Sequence, residues 1–340
     1  MNHDAPAPPS TSAAPTPGTS TELRGVLLVL TAATLWGTLG TFYTWATGSF
    51  GLSPLTIVFW RASLAALILG LALGVVRPLL GGGWDMLRVR RRDWPVFLTY
   101  GVLGVTAFYL LYIYAVLVAG VAVSVVLLYT APVLVALMSW RWLGERFGPR
   151  KIAALGLTLA GCVLVARAYD PSVLSLNLVG ILCAFGSAFT YALYSILGKV
   201  SLRRGYPIAT MSFYVYATGA IGLLVVALLA PDPRGGLGAA QLVSMGTDVG
   251  AWALLLMLAV FQTIGALYAY TAGLRHLEAG TASILATFEP VVAGLLAYFV
   301  VGERLEWPQI VGGGLVLLAV VLLQLRAGSR RDVAAAIRAD

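Results

Sequence analysis

From residue 25 onward the chain is a succession of apolar segments, each about 15–25 residues long, separated by short polar breaks. A helix rises about 1.5 Å per residue, so segments of this length match the ~30 Å hydrocarbon layer of a bilayer. Ten are read, at 25–46, 54–76, 94–117, 121–143, 150–166, 177–198, 207–230, 249–273, 279–301 and 308–325. The fifth is the shortest, bracketed by Lys151 and Arg167, whose side chains are expected to snorkel to the interface. Strands of a membrane barrel are excluded, because the runs are too long and do not alternate. Composition agrees: 59% of the residues are hydrophobic and 11% charged, against about 25% charged in soluble domains. Such a chain cannot cover itself with a water-facing surface, nor stay disordered. The expected fold class is an all-α membrane protein with ten transmembrane helices.

Residues 1–24 read as a disordered cytoplasmic tail, since 1–20 hold five Pro among Ala, Ser and Thr; residues 326–340 form a second cytoplasmic tail. The N-terminal segment lacks the positive region of a cleaved signal peptide, so the run from Gly25 is expected to serve as an uncleaved anchor. With ten spans and the N-terminus inside, seventeen Lys and Arg fall on inner segments, including Arg88, Arg90, Arg91 and Arg92, and three on outer ones, Arg167, Arg234 and Arg304. That asymmetry puts both termini in the cytoplasm. It also accounts for the net charge of +8 without nucleic acid, for which no aromatic-rich basic face is present. Cys162 and Cys183 lie in apolar runs and read as packing residues.

The chain repeats itself. Shifted by 158 residues without gaps, Tyr112–Val165 aligns with Tyr270–Leu323, with 14 of 54 positions identical. Pro132 falls on Pro290, Gly144-Glu145-Arg146 on Gly302-Glu303-Arg304, and Gly156 on Gly314. At an offset of 155, Gly25 falls on Gly180 and Trp36 on Tyr191. The halves are therefore 25–170 and 171–325, five spans each. An odd number of spans makes the second copy insert upside down, giving two inverted five-helix repeats about a central site reachable from either side in turn.

The doubled unit, the Ala131-Pro132 and Glu289-Pro290 segments each followed by Gly-Glu-Arg, Trp36-Gly37, Arg61 and Phe288-Glu289-Pro290 together resemble the drug/metabolite transporter superfamily, in its EamA-type branch. The likeness covers about residues 25–325. It implies a multi-pass protein of the plasma (inner) membrane that carries amino acids or other small metabolites, by export or by uptake.

Arg61 lies about a third of the way into its apolar run, where a charge costs about 2.5–3.5 kcal/mol on insertion scales. It either faces the bundle interior and meets a carboxylate, or snorkels or pairs with backbone carbonyls. Glu289 precedes a kinking proline and either exchanges protons, coupling transport to a proton gradient, or caps carbonyls that the proline frees. Trp36 with Tyr191, and Tyr112 with Tyr270, are repeat-matched; if their helices line the cavity, they face one another across the axis and bind an amphipathic solute, or else they pack. Glu145 and Glu303 read as surface ion pairs or caps, and Arg275, His276 and Glu278 as a solvated turn cluster in which His276 titrates near neutral pH.

The expected partners are a small-molecule substrate and membrane lipid, with a homodimer left open and no nucleic acid. No phosphate-binding Gly-rich loop with Lys-Ser/Thr is present, so ATP is not hydrolysed here, and no metal or other cofactor is expected. The reading is a secondary transporter, an exporter before a permease, working by alternating access. Its rivals are an uptake permease of the same fold, a membrane-embedded enzyme acting on a lipid-linked substrate, which needs converging catalytic groups, and a scaffold without a cavity.

Overall fold

The computed structural model describes residues 19–146, 148–171, 177–229, 242, 246–302 and 306–324. Most of the expected N-terminal tail (residues 1–18), the tail 326–340, Glu303 and Arg304 lie outside the described residues. Within them there is no strand. The helices are α1 (Thr19–Gly37), α2 (Leu39–Phe50), α3 (Pro54–Leu71), α4 (Arg77–Leu79), α5 (Trp94–Gly101), α6 (Phe108–Leu128), α7 (Ala131–Met138) and α8 (Pro149–Val165). They continue with α9 (Leu178–Arg203), α10 (Ile208–Leu229), α11 (Val249–Met257), α12 (Ala266–Gly273), α13 (Ala279–Ala286), α14 (Glu289–Leu296) and α15 (Trp307–Gln324).

Many of these join end to end, so that among the described residues seven continuous stretches are long and apolar enough to cross a membrane. They are Thr21–Phe50, Pro54–Leu79, Arg91–Leu128, Leu178–Arg203, Ile208–Leu229, Val249–Gly273 and Ala279–Val300. Shorter apolar helices follow at Ala131–Leu143, Pro149–Val165 and Trp307–Leu323. Leu67, Leu182, Phe185, Ile221, Leu228 and Phe261 are exposed along their lengths, a surface that water does not tolerate and lipid does. Trp84, Trp94, Trp140, Trp142 and Trp307 are exposed near helix ends, the position of an interfacial aromatic belt. This is a multi-pass membrane protein.

The helices differ from their sequence reading chiefly where they bend. α1 starts at Thr19, so the last residues of the expected tail 1–24 are helical. The first apolar run is divided at Thr38 and continues as α2 to Phe50. Gly120, at φ 80° and ψ 168°, turns the chain inside α6, a conformation glycine adopts without Cβ strain, and separates the third apolar run from the fourth. α9 extends to Arg203 and carries Lys199 and Arg203 on its last turns. Among the described residues five segments wind as π-helix: Ala72–Val76, Val102–Ala107, Ser139–Leu143, Leu258–Gly265 and Ala297–Val301.

The element boundaries repeat. α6 and α13 end at Leu128 and Ala286, α7 and α14 begin at Ala131 and Glu289, and α8 and α15 begin at Pro149 and Trp307, each pair 158 residues apart. Ser139–Leu143 and Ala297–Val301 are both π-helical, and each ends on a left-handed glycine, Gly144 (φ 69°) or Gly302 (φ 79°). The glycine of the repeated Gly-Glu-Arg segment is thus a helix terminator.

The halves interlock. α1 packs on α12 and α9 on α6; α3 packs on α10 and α8 on α15. Matched glycines make matched contacts: a Cβ on Gly25 lies 2.9 Å from Leu277, and one on Gly180 lies 2.5 Å from Ala119. Where α8 crosses α15, a Cβ on Gly161 lies 2.6 Å from the Gly312 carbonyl oxygen, and one on Gly312 lies 2.6 Å from that of Gly161. Small residues permit this approach, which in lipid supplies packing that the hydrophobic effect does not.

Gly161→Ala is therefore expected to destabilise the protein by about 1–3 kcal/mol, read as a lower thermal midpoint in detergent. Gly156→Ala, whose added Cβ meets nothing within 4 Å, is expected to be neutral or up to about 1 kcal/mol stabilising.

Candidate functional site

The interlocking sets which aromatic rings meet. Trp36 of α1 lies 5.4 Å from Tyr270 of α12, ring centre to ring centre, and the buried Tyr270 hydroxyl donates to Ser195 Oγ of α9 at 3.0 Å. Tyr112 stacks on Phe108 at 6.2 Å, and Phe108 lies 6.2 Å from Tyr191 of α9, which stacks on Tyr194 at 6.3 Å. The sequence comparison paired Trp36 with Tyr191 and Tyr112 with Tyr270 as equivalents. In three dimensions the contacts run between non-equivalent helices, Trp36 to Tyr270 and Tyr112 through Phe108 to Tyr191. The two clusters join through Tyr191 and Tyr270, whose hydroxyls are hydrogen-bonded. Each ring pair of this kind contributes about 0.5–1.5 kcal/mol beyond its burial.

Arg61 of α3 is buried, 3% exposed. Its Nε donates to Thr263 Oγ1 and its Nη1 to Tyr43 Oη, both at 3.0 Å, and its guanidinium sits 5.8 Å from the Tyr43 ring centre and 5.7 Å from that of Tyr109. The side chain therefore points inward. Among the described residues no carboxylate pairs with it; hydroxyls and aromatic faces hold the cation instead. Beside Thr263, Gln262 donates to Thr38 Oγ1 at 3.1 Å, while its buried Oε1 has no hydrogen-bond partner. Tyr43 and Tyr109 were visible in sequence as aromatics within spans. Nothing in the sequence singled out Thr263 or Ser195, whose partners lie 202 and 75 residues away.

Glu289 opens α14 and is half-buried. Gly37 of α1 packs against it, a Cβ there falling 2.8 Å from the Glu289 carbonyl oxygen. Tyr112, Tyr129, Tyr191 and Cys162 are close enough to feel its charge. The carboxylate has no hydrogen-bond or ion-pair partner among the described residues, so it does not cap the carbonyls freed by Pro290. A hollow of about 30 Å³ adjoins it between the two helix breaks, bordered by Leu128, Tyr129, Tyr191, Ser283, Ala286 and Thr287. That volume admits one or two water-sized particles, so a metabolite requires the surrounding helices to part. The structure thus brings Trp36, Tyr112, Tyr191, Tyr270 and Glu289 into one neighbourhood. Arg61 stands apart in its own cage, linked to the rest through Tyr43, which lies within electrostatic reach of Tyr112.

Comparison with known proteins decides what this arrangement belongs to. The EamA-like transporter family matches the chain twice, over residues 23–167 and 178–325. The chain belongs to the EamA-like transporter family. It is 28% identical over 317 residues to the uncharacterized transporter YwfM of Bacillus subtilis, covering 91% of this chain and 97% of that one. It is 27% identical over 274 residues to the aromatic amino acid exporter YddG of Ancylobacter novellus, covering 79% and 86%, and 25% identical over 317 residues to the uncharacterized inner membrane transporter YicL of Salmonella typhimurium, covering 92% and 98%. A protein of known crystal structure superposes with a TM-score of 0.70 at 24% identity, covering 92% of this chain and 99% of that one, and so shares its fold. The protein is a transporter, not an enzyme.

One end of this EamA-like bundle carries a second polar cluster. Glu145, read as a surface ion pair or a cap, is buried and is a cap, on α13 across the halves: Oε1 accepts from the Ala279 N–H at 2.7 Å and Oε2 from the Gly280 N–H at 3.1 Å. Lys151 Nζ lies 4.0 Å from Glu145 Oε2 and pairs with Glu278. Lys199 of α9 donates to the carbonyls of Leu274 and Leu277, just after α12. Acid on a helix start and base on a helix end complement the two dipoles. A cleft of about 300 Å³ opens here, bordered by Glu145, Lys199, Arg203, Arg275, His276 and Glu278. Partial burial lowers the pKa of His276 from its ordinary 6.5, and the cations Arg24, Arg275 and Lys199 lower it further.

Glu145→Ala removes two charge-assisted bonds and is expected to cost about 2 kcal/mol, with faster amide exchange at 279–282 if the cap is local. For His276, the unfolded chain takes up the proton first as pH falls through 6.5, so the folded state loses stability on acidification. His276→Gln is expected to flatten the fall in thermal midpoint between about pH 7.5 and pH 5.5; an unchanged slope contradicts it.

Proposed function

We propose that the protein is a secondary transporter that exports amino acids or similar small metabolites by alternating access. In this reading the shorter apolar helices also cross the bilayer, making ten spans in two inverted five-helix repeats, 25–170 and 171–325. The observation that carries it is the exchange-symmetric packing: matched helices, matched proline breaks and matched glycines make equivalent contacts with the halves interchanged. Two packed units of this kind rock about a shared centre, opening it to one side and then the other. The protein sits in the plasma (inner) membrane with both termini cytoplasmic, supported by seventeen inner against three outer cations.

The substrate is bound where the aromatic rings converge, by Trp36, Tyr112, Tyr191 and Tyr270, with Arg61 engaging a carboxylate when the helices part. A ring-lined, hydroxyl-bearing centre suits a solute with one apolar and one polar side, and the exporter name of YddG, given to a similar protein for aromatic amino acids, favours amino acids of that class. Glu289 is the coupling group. It is an acid without a partner in the interior of the bundle, and a proton carried through it down 100 mV contributes about 2.3 kcal/mol. An uptake permease shares this geometry, and the direction of net flux separates the two.

The test is flux in proteoliposomes with a panel of amino acids and metabolites, with and without a pH gradient. Wild type is expected to accumulate a subset of them under the gradient, aromatic amino acids foremost, and Glu289→Gln is expected to lose the gradient's effect. Gradient-driven flux that survives in this variant overturns proton coupling, and no flux of any solute overturns the carrier assignment.

A further inference from the structure

Residues 77–93, which lead from α4 to α5, hold five arginines and two aspartates. Both acids are engaged. Asp85 Oδ1 and Oδ2 accept from Arg77 at 2.5 and 3.3 Å, and the buried Asp93 accepts from Arg204 Nη1 at 2.5 Å and from the Tyr206 hydroxyl at 2.6 Å. Arg88, Arg90, Arg91 and Arg92 are left exposed, and their guanidinium groups make no hydrogen bond or ion pair among the described residues. Nor does the loop hang free. Thr210 Oγ1 donates to the Met86 carbonyl and the Tyr214 hydroxyl to that of Leu87, both at 2.6 Å, and the Arg90 N–H donates to the Tyr206 hydroxyl at 3.2 Å. The rings of Trp94 and Tyr214, and those of Phe97 and Tyr206, meet edge to face at 5.0 Å. A loop of the first half is thus strapped to the start of α10 in the second, with four unpaired cations on its exposed side.

We infer that this strapped loop is a binding surface for anionic phospholipid. Arg88, Arg90, Arg91 and Arg92 take the headgroup phosphates, and the exposed Leu79, Leu80, Trp84 and Trp94 take the apolar region just beneath them. The apolar stretches that the loop joins end at Leu79 and begin at Arg91, so the arginines stand at the level of the headgroups. A guanidinium is a forked donor matched to phosphate oxygens. A soluble anion or a nucleic acid meets the charge but leaves Leu79, Leu80, Trp84 and Trp94 in water, whereas a lipid covers both. The fixed backbone matters as well: a mobile basic tail loses conformational freedom when it binds, and this loop has already lost it in folding. Biasing topology needs only the number of cations on one side, not their conformation; a strapped cluster with its acids engaged elsewhere retains lipid in the folded protein. The inference stands on the membrane fold and on these contacts, not on the carrier reading.

Thermal unfolding of the purified full chain in dodecyl maltoside, titrated with phosphatidylglycerol or phosphatidylcholine of identical acyl chains, tests the surface without reference to transport. Phosphatidylglycerol is expected to raise the midpoint saturably and phosphatidylcholine to leave it nearly unchanged. The difference is expected to shrink as NaCl rises from about 0.05 M to about 0.5 M. Each arginine replaced, in Arg91→Gln and then in Arg91→Gln with Arg92→Gln, is expected to weaken the apparent phosphatidylglycerol affinity about fivefold. Thr210→Val with Tyr214→Phe keeps every charge, removes two of the straps, and is expected to weaken it too. Midpoints that do not distinguish the two lipids, or a response unchanged in the arginine variants or in the strap variant, overturn the site. An equal weakening by Arg146→Gln with Arg150→Gln, whose cations lie outside the loop, reduces the effect to net charge and also overturns it. Glycerol phosphate or a short RNA that reproduces the full rise overturns the lipid assignment in favour of a soluble anion.

Discussion

In hydrocarbon no water is available to satisfy a backbone N–H or C=O, and each unmet group costs several kcal/mol. An uninterrupted helix meets that demand internally. A helix interrupted in mid-membrane must place its exposed groups where protein, not lipid, surrounds them. Pro132 and Pro290 interrupt their helices at equivalent points, and around both breaks gather Glu289, Tyr129, Tyr191, Ser283 and Thr287. The same logic applies at Thr38, where α1 gives way to α2 and the Thr38 hydroxyl accepts from Gln262. The polar chemistry of the interior thus sits where the helical ladder is open.

Around these openings the two halves hold one another. α8 and α15 touch through Gly161 and Gly312, near the start of the second half Gly180 sits on Ala119, and Gly25 meets Leu277. Glu145 belongs to the first half but caps a helix of the second, and Lys199 of the second holds the turn after α12. These cross-half contacts lie at one end of the bundle, away from the aromatic centre of Trp36, Tyr270, Tyr112 and Tyr191. Packed interfaces of this sort have discrete arrangements and do not deform continuously.

Several residues read differently in the fold than in the sequence, for physical reasons. Glu145 read as a surface ion pair or a cap because it ends a helix beside Arg146; Gly144, in a left-handed conformation, turns the chain so that the carboxylate is buried and caps α13. Glu289 looked equally able to cap a broken turn, yet its carboxylate stays free of the backbone. Arg61, read as facing either the interior or the interface, turns inward, where Tyr43, Tyr109 and Thr263 surround it. The π-helical stretches left no mark in the apolar pattern, because widening the hydrogen-bonded turn from i→i+4 to i→i+5 needs no particular residue type.

The sequence by itself determined the membrane class, the approximate places of the apolar helices, the duplication and the residues too polar for their surroundings. Each of these follows from properties local to a segment: length against bilayer thickness, charge against hydrocarbon, proline against the helical ladder. Only the tertiary structure decided which of those residues meet. Trp36 lies against Tyr270 and not against its repeat equivalent Tyr191, and Arg61 bonds a threonine 202 residues away, because helix pairing depends on shape matched over whole surfaces, which a one-dimensional pattern of apolar and polar residues does not carry.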